Sequence, residues 1–183
     1  GPDDDETLRL ALGGILIGED SFQPVVEISL KRKVSLSDVI MPVEDFQAIE
    51  HAPRRNLLLP WLREMSIILV SGWRGVGKSW FALGVLIAIV NGDSFGLWSS
   101  ELSVPCLYVD GEMPASDVSD RLKSLGITGT KSPLYVYSDS LANEMGLPRA
   151  HLGNRKWRDA IKKILIEKGV RFWVVDNLAS LAP

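Results

Sequence analysis

Short runs of consecutive apolar residues alternate along most of the chain with longer stretches in which apolar residues recur at helical spacing. The apolar runs occupy residues 67–71, 104–110, 134–137 and 171–175. Each run has the length and composition of a strand that is buried on both faces. The stretches between them are long enough for helices that cross from one strand to the next. The alternation therefore predicts an α/β fold with a mainly parallel sheet flanked by helices.

Three helices are predicted between these strands. The first covers residues 78–90 and ends at Asn91 and Gly92, a pair that is typical of a helix C-terminus. The second begins at Pro114, because proline is tolerated in the first turn, where its missing N–H would have no partner. The third is indicated by an apolar stripe at helical spacing, formed by Trp157, Ala160, Ile161, Ile164 and Leu165.

The beginning of the chain follows a different pattern. Gly1 and Pro2 have the form of a remnant left by a cleaved tag, and they are excluded from the fold prediction. Residues 22–30 predict a strand, and residues 43–50 predict a short helix. Prolines then punctuate the approach to the first buried strand. We therefore predict a domain division at residue 60, between an N-terminal segment, 1–60, and a core, 61–183.

Composition narrows the class of protein. The chain has 183 residues, 46% of them hydrophobic, and a formal net charge of −3. This apolar fraction is typical of a folded domain, whereas the charge does not indicate a nucleic-acid-binding surface. The apolar stretch at residues 80–90 is too short to span a bilayer, so no membrane partner is predicted. Cys106 is the single cysteine, which excludes an internal disulfide, favours a cytoplasmic location and predicts a small buried side chain.

A glycine-rich loop joins the strand at 67–71 to the helix at 78–90. Its sequence, Gly-Trp-Arg-Gly-Val-Gly-Lys-Ser at residues 72–79, matches the phosphate-binding P-loop at every fixed position. The glycines permit backbone torsions that turn successive N–H groups toward phosphate oxygens, and the helix N-terminus adds partial positive charge. Lys78 is predicted to reach the β- and γ-phosphates, and the Ser79 hydroxyl to bind Mg²⁺. The predicted cofactors are therefore ATP and Mg²⁺.

Contacts to the nucleotide are predicted along the whole loop and at the residue after it. Trp73 and Arg74 fill variable positions of the loop, where exposed side chains are the favoured interpretation. Trp80 and Phe81 begin the helix, and core packing is the favoured interpretation of their side chains. The predicted cofactor-binding positions are Gly72, Arg74, Gly75, Val76, Gly77, Lys78, Ser79 and Trp80.

Acidic residues follow two of the predicted strands. In an open parallel sheet a ligand lies beyond the carboxyl ends of the strands, so these carboxylates are expected near the phosphate loop. Asp176 follows four hydrophobic residues, which is the Walker B pattern of a magnesium-binding aspartate. Glu112 is the candidate general base and Asp110 a secondary candidate. From the residues alone, turn-forming roles for Glu112 and Asp110 before Pro114 are equally supported.

The P-loop, the segment 109–114 and the segment 174–178 together resemble the RecA-like ATPases, and most closely the RepA-like plasmid helicase group and its phage relatives. This resemblance covers about two thirds of the chain. It implies that Glu112 polarises the attacking water and that Asp176 holds Mg²⁺. RecA-like cores continue beyond the Walker B strand, whereas this sequence ends at Pro183. The resemblance therefore implies a core that is incomplete at its C-terminus and whose hydrolysis is impaired.

The resemblance also implies the partners and the activity. We expect a helicase-type P-loop ATPase that acts in DNA replication or in the maintenance of a mobile element. It is expected to form a homo-oligomer, a hexamer in the full-length protein, and to bind single-stranded nucleic acid through regions outside this chain. An ATP-dependent regulatory or assembly module without unwinding activity is the alternative. A small-molecule kinase is a third and less favoured interpretation.

Overall fold

A computed structural model of the protein describes residues 35–127 and 129–182. The chain divides into two compact units, Gly1–His51 and Ala52–Pro183. The domain division at residue 60 stays a prediction.

The described part of the first unit consists of two short helices, α1 (Leu36–Val39) and α2 (Val43–Gln47). The backbone N–H of Ser35 donates to Asp38 Oδ2 at 2.8 Å and closes the first turn of α1. Helix α2 confirms the helix predicted from residue 43, although it is shorter than predicted. The strand predicted at residues 22–30 lies outside the described residues.

The second unit contains a three-stranded sheet, two small hairpins and the helices that cover them. Its elements, in chain order, are β1 (Asn56–Leu58), β2 (Leu62–Arg63), α3 (Lys78–Asn91), β3 (Ser94–Phe95), β4 (Trp98–Ser99), β5 (Cys106–Asp110), α4 (Ala115–Ser124), β6 (Leu134–Ser138), α5 (Asp139–Glu144), α6 (Arg155–Glu167), β7 (Phe172–Asp176) and α7 (Leu178–Leu181).

The three-stranded sheet is parallel and has the order β6-β5-β7. All five residues of β5 are buried, as expected for a central strand whose two faces are both covered. The register places Asp110, at the end of β5, opposite Ser138 of β6 on one side and Asp176 of β7 on the other. Burial raises the pKa of the Cys106 thiol to about 12. The predicted α/β class, the parallel sheet and a buried Cys106 are confirmed.

The predicted helices are also confirmed. Helix α3 buries Leu83, Leu86 and Ile89 in the core, and it ends at Gly92, whose positive φ of 59° is the left-handed cap. Helix α6 buries only Ile161 of the predicted stripe, together with partly buried neighbours in the second core cluster. Within residues 35–127 and 129–182, no helix has the length and apolarity needed to cross a membrane.

Two antiparallel hairpins were not predicted. Strands β1 and β2 form the first, strands β3 and β4 form the second, and a single bridge between Leu59 and Ser99 connects them. Aromatic rings fill the space between the hairpins and α3: Trp98 lies 5.2 Å from Trp61 and 5.9 Å from Phe81, measured between ring centroids. These edge-on contacts extend the core beyond the sheet.

The strand predicted at residues 67–71 is wrong for this structure. The segment is irregular, and Ile67 is fully exposed at 100% while Val70 is 44% exposed. A strand forms only where a neighbour supplies ladder hydrogen bonds, and no described strand pairs with this segment. Its apolar sequence therefore lacks, among the described residues, the partner that would convert strand propensity into a strand.

Candidate functional site

The phosphate-loop sequence and the carboxyl ends of β5 and β7 surround one open cleft of about 560 Å³. A cleft of this size is suited to a small-molecule ligand. Every predicted cofactor-binding residue lines it except Val76, which is 62% exposed. The predicted catalytic and metal residues line it too. Its walls are formed by Gly72, Arg74, Gly75, Gly77, Lys78, Ser79, Trp80, Asp110, Glu112, Met113, Arg121, Asp176 and Asn177.

Two glycines give the loop its shape. Gly75 and Gly77 have φ values of +83° and +91°, in the region that side chains rarely adopt. A Cβ atom at either position would meet nothing within 4 Å, so backbone conformation, and not crowding, requires glycine there. Gly77 is also the N-cap of α3, which leaves the first N–H groups of the helix without intrahelical partners. Unpaired N–H groups at a helix N-terminus are suited to binding an anion.

Lys78 lies folded over this loop. Its ammonium group donates to the backbone oxygen of Gly72 at 2.9 Å and to that of Trp73 at 2.8 Å. Phosphate oxygens are stronger acceptors for an ammonium group than neutral carbonyl oxygens. These bonds place the Lys78 ammonium group against the backbone of the loop. Ser79 follows in the first turn of α3.

Glu112 is held from two sides. Arg74 Nη2 lies 3.4 Å from Glu112 Oε1, and the side-chain amide of Asn177 donates to Oε2. The orientation of that amide is fixed, because Asn177 Oδ1 accepts from the Ser180 N–H and hydroxyl, each at 2.9 Å, and so caps α7. With its oxygen committed to the cap, Asn177 presents its NH₂ group to the carboxylate. Sequence reasoning missed Asn177; the only available signal was its place directly after the Walker B aspartate.

Asp110 and Asp176 are neighbours in the sheet with different surroundings. Asp110 is 1% exposed, and its Oδ1 accepts from the N–H groups of Glu112 at 3.0 Å and Met113 at 2.7 Å. Burial raises the pKa of Asp110, and these N–H bonds oppose the shift. Asp110 therefore closes the turn after β5, which is the turn-forming role that the sequence also allowed, and its role as a secondary base stays a prediction. Asp176 Oδ2 accepts from the Tyr108 hydroxyl at 2.7 Å.

An arginine and a tryptophan form the wall of the cleft beside the start of α3. The guanidinium of Arg121 lies over the Trp80 ring at 5.3 Å from the ring centroid, within the range of a cation–π contact. Trp80 is 45% exposed, so the expectation that its side chain packs in the core is wrong. Its neighbour Phe81 does pack against the aromatic cluster. A flat apolar ring beside an arginine is a surface on which a planar base can stack.

The oxygen atoms that line the cleft suit Mg²⁺ better than a metal ion whose ligands all come from the protein. Among the described residues, no group of three or more His, Cys, Asp or Glu side chains is arranged to hold a metal ion. Mg²⁺ commonly keeps several waters and is bound by one or two protein oxygens together with substrate phosphates. One hydroxyl, from Ser79, and one carboxylate, from Asp176, fit that requirement.

Comparison with known proteins gives one match. A family model described as an AAA domain matches residues 31–183, which is most of the chain. No curated protein matches, and no solved structure matches.

Proposed function

The chain belongs to the AAA domain family of P-loop ATPases, and from this premise we propose that its cleft binds ATP with Mg²⁺ and hydrolyses the γ-phosphate bond. The observation that carries the proposal is convergence. A phosphate loop, a strand-ending aspartate and a half-exposed glutamate come from three separate segments and line a single cleft. Phosphoryl transfer to water needs these three components.

Each component has a proposed role. The N–H groups at the start of α3 and the Lys78 ammonium bind the phosphates. Ser79 and Asp176 hold Mg²⁺, which neutralises developing charge on the phosphates. Glu112 orients the attacking water and accepts its proton. The wall formed by Trp80 and Arg121 accepts the base.

Thermal stability with and without MgATP tests the binding site. Ligand at about 100 times its dissociation constant stabilises a folded domain by about 2.7 kcal/mol. At about 2–4 °C per kcal/mol, the melting temperature should rise by roughly 5–10 °C. Lys78→Ala should abolish this rise, because it removes the ammonium group that meets the phosphates. Lys123→Ala is the matched control, since that lysine pairs with Asp120 on exposed α4. An equal rise in Lys78→Ala and in the unmodified chain would disprove the site assignment.

We further propose that this site drives a RecA-like, helicase-type motor of the RepA-like group, assembled as a homo-oligomer and acting on single-stranded nucleic acid. The support is the set of three motifs quoted above: the P-loop, the glutamate after β5 and the aspartate after β7. Stimulation of ATP hydrolysis by single-stranded DNA or RNA in the full-length protein tests the proposal. If hydrolysis is unchanged and ATP instead alters the oligomeric state, the site serves a regulatory or assembly module.

A further inference from the structure

Tyr108 joins the two carboxylates that end β5 and β7. Strand alternation places Tyr108 and Asp110 on the same face of β5, and the parallel register places Asp110 opposite Asp176. The Tyr108 side chain is fully buried in the core. Its hydroxyl lies 2.7 Å from Asp176 Oδ2 and 3.3 Å from Asp110 Oδ2. A single buried hydroxyl therefore lies within hydrogen-bond distance of both carboxylates.

A hydroxyl has one proton to donate, and the surroundings of the two carboxylates decide which of them accepts it. Asp110 already accepts two backbone N–H groups through Oδ1. Among the described residues, the Asp176 carboxylate accepts no hydrogen bond other than the one from Tyr108. The shorter distance also favours Asp176. A phenol is ordinarily protonated at neutral pH, so the Tyr108 hydroxyl is a donor.

The consequence is a fixed orientation for the Asp176 carboxylate. A hydrogen bond from a neutral donor to a carboxylate is among the stronger bonds a side chain can make, and this one starts from a ring that the core immobilises. It occupies Oδ2 and leaves Oδ1. Loss of a partner that orients a metal-binding side chain in this way typically weakens metal binding by about tenfold or more.

We propose that Tyr108 is the positioning residue of the metal site: its hydroxyl orients the Asp176 carboxylate so that Oδ1 is available to Mg²⁺. This inference rests on the proposed ATP and Mg²⁺ site. It assigns a role in metal binding to a side chain that is buried in the core.

The test is a Mg²⁺ titration of ATP binding with Tyr108→Phe, which keeps the ring in the core and removes only the hydroxyl. The Mg²⁺ concentration at half-maximal ATP-dependent thermal stabilisation should rise about tenfold. ATP binding in excess EDTA should change by less than about twofold, because the phosphate loop is intact. Tyr137→Phe is the matched control. Tyr137 lies on the neighbouring strand β6, and its hydroxyl lies 3.3 Å from the carboxylate of Asp139, which also follows two residues after the tyrosine. That variant should leave the Mg²⁺ requirement unchanged.

The outcomes separate the inference from the function on which it rests. If the unmodified chain binds MgATP and Tyr108→Phe has the same Mg²⁺ requirement, the inference about Tyr108 is overturned and the proposed ATP site stands. Equal losses of ATP binding with and without Mg²⁺ show a purely structural role and also overturn it. If the unmodified chain binds no MgATP, the proposed function fails and the inference fails with it.

Discussion

Glu112→Gln separates nucleotide binding from hydrolysis with little disturbance of the fold. Glutamine has the same length, and its side-chain oxygen can still accept from the Asn177 amide. What disappears is the charge that faces Arg74. That ion pair is long, at 3.4 Å, and the two side chains are 95% and 49% exposed, so solvent screening leaves it a small part of stability. A functional loss in this variant is therefore not explained by unfolding.

The magnitudes follow from the position of the carboxylate. Removing a general base costs about 10²–10⁴-fold in the rate of the chemical step. Removing one negative charge beside a phosphate group relieves about 1 kcal/mol of repulsion for charges 4 Å apart in water. That energy corresponds to roughly fivefold tighter ATP binding. We expect hydrolysis to fall at least about a hundredfold while ATP binds as tightly as before or more tightly.

Single-turnover hydrolysis by the full-length protein, in excess over labelled ATP, measures the chemical step, and fluorescence titration measures ATP binding. Glu144→Gln is the matched control, because that glutamate is exposed on α5 and accepts a hydrogen bond from the Ser140 hydroxyl. Hydrolysis within about threefold of the unmodified chain would refute Glu112 as the base. A large loss of ATP affinity in the same variant would show that Glu112 holds the loop and does not act on water.

Two further predictions concern recognition of the nucleotide base and the stability of the fold. Trp80→Ala should weaken ATP binding about tenfold, as expected for loss of a stacked ring, and leave binding of inorganic triphosphate unchanged. Equal losses of affinity for both ligands would show that the nucleotide base does not stack on Trp80. Glu64→Gln should cost about 2 kcal/mol, because the 11%-exposed carboxylate accepts from the guanidinium groups of Arg55 at 3.2 Å and Arg171 at 2.7 Å. Calorimetry should show a melting temperature lower by about 4–8 °C. Asp120→Asn, on the exposed surface, is the control and should cause no measurable change. Similar changes in both variants would contradict a stabilising role for the Glu64 ion pairs.

The sequence predicted those elements whose stability depends on their own residues. Helix α3 carries an apolar sequence bounded by a glycine loop and a glycine cap, and both ends lie within one residue of the prediction. Strand β5 is a short apolar run that is buried along its whole length, as predicted for a strand covered on both faces. The phosphate loop is likewise local, since its shape depends on glycine torsions within eight residues. Its recognition required no knowledge of the rest of the fold.

Elements that depend on distant partners could not be predicted in the same way. Residues 67–71 have the composition of a strand, but a ladder needs a neighbour, and composition does not reveal whether one is present. The hairpins β1–β2 and β3–β4 have strands of two or three residues, too short for alternation to be recognised. The contact of Trp80 with Arg121, a residue of α4, likewise joins positions that are distant in the sequence.

The side of the cleft that is proposed to hold Mg²⁺ illustrates this limit. The sequence predicts Asp176 as a metal-binding residue from the residues before it, and alternation along β5 could have placed Tyr108 on the same face as Asp110. Neither pattern contains the register that sets Asp110 opposite Asp176, because register is fixed by how two strands 66 residues apart pair across the sheet. Once it is fixed, a tyrosine two residues before one aspartate necessarily lies near the other. A buried tyrosine that the sequence classifies as core thereby becomes the donor that orients the carboxylate proposed to hold Mg²⁺.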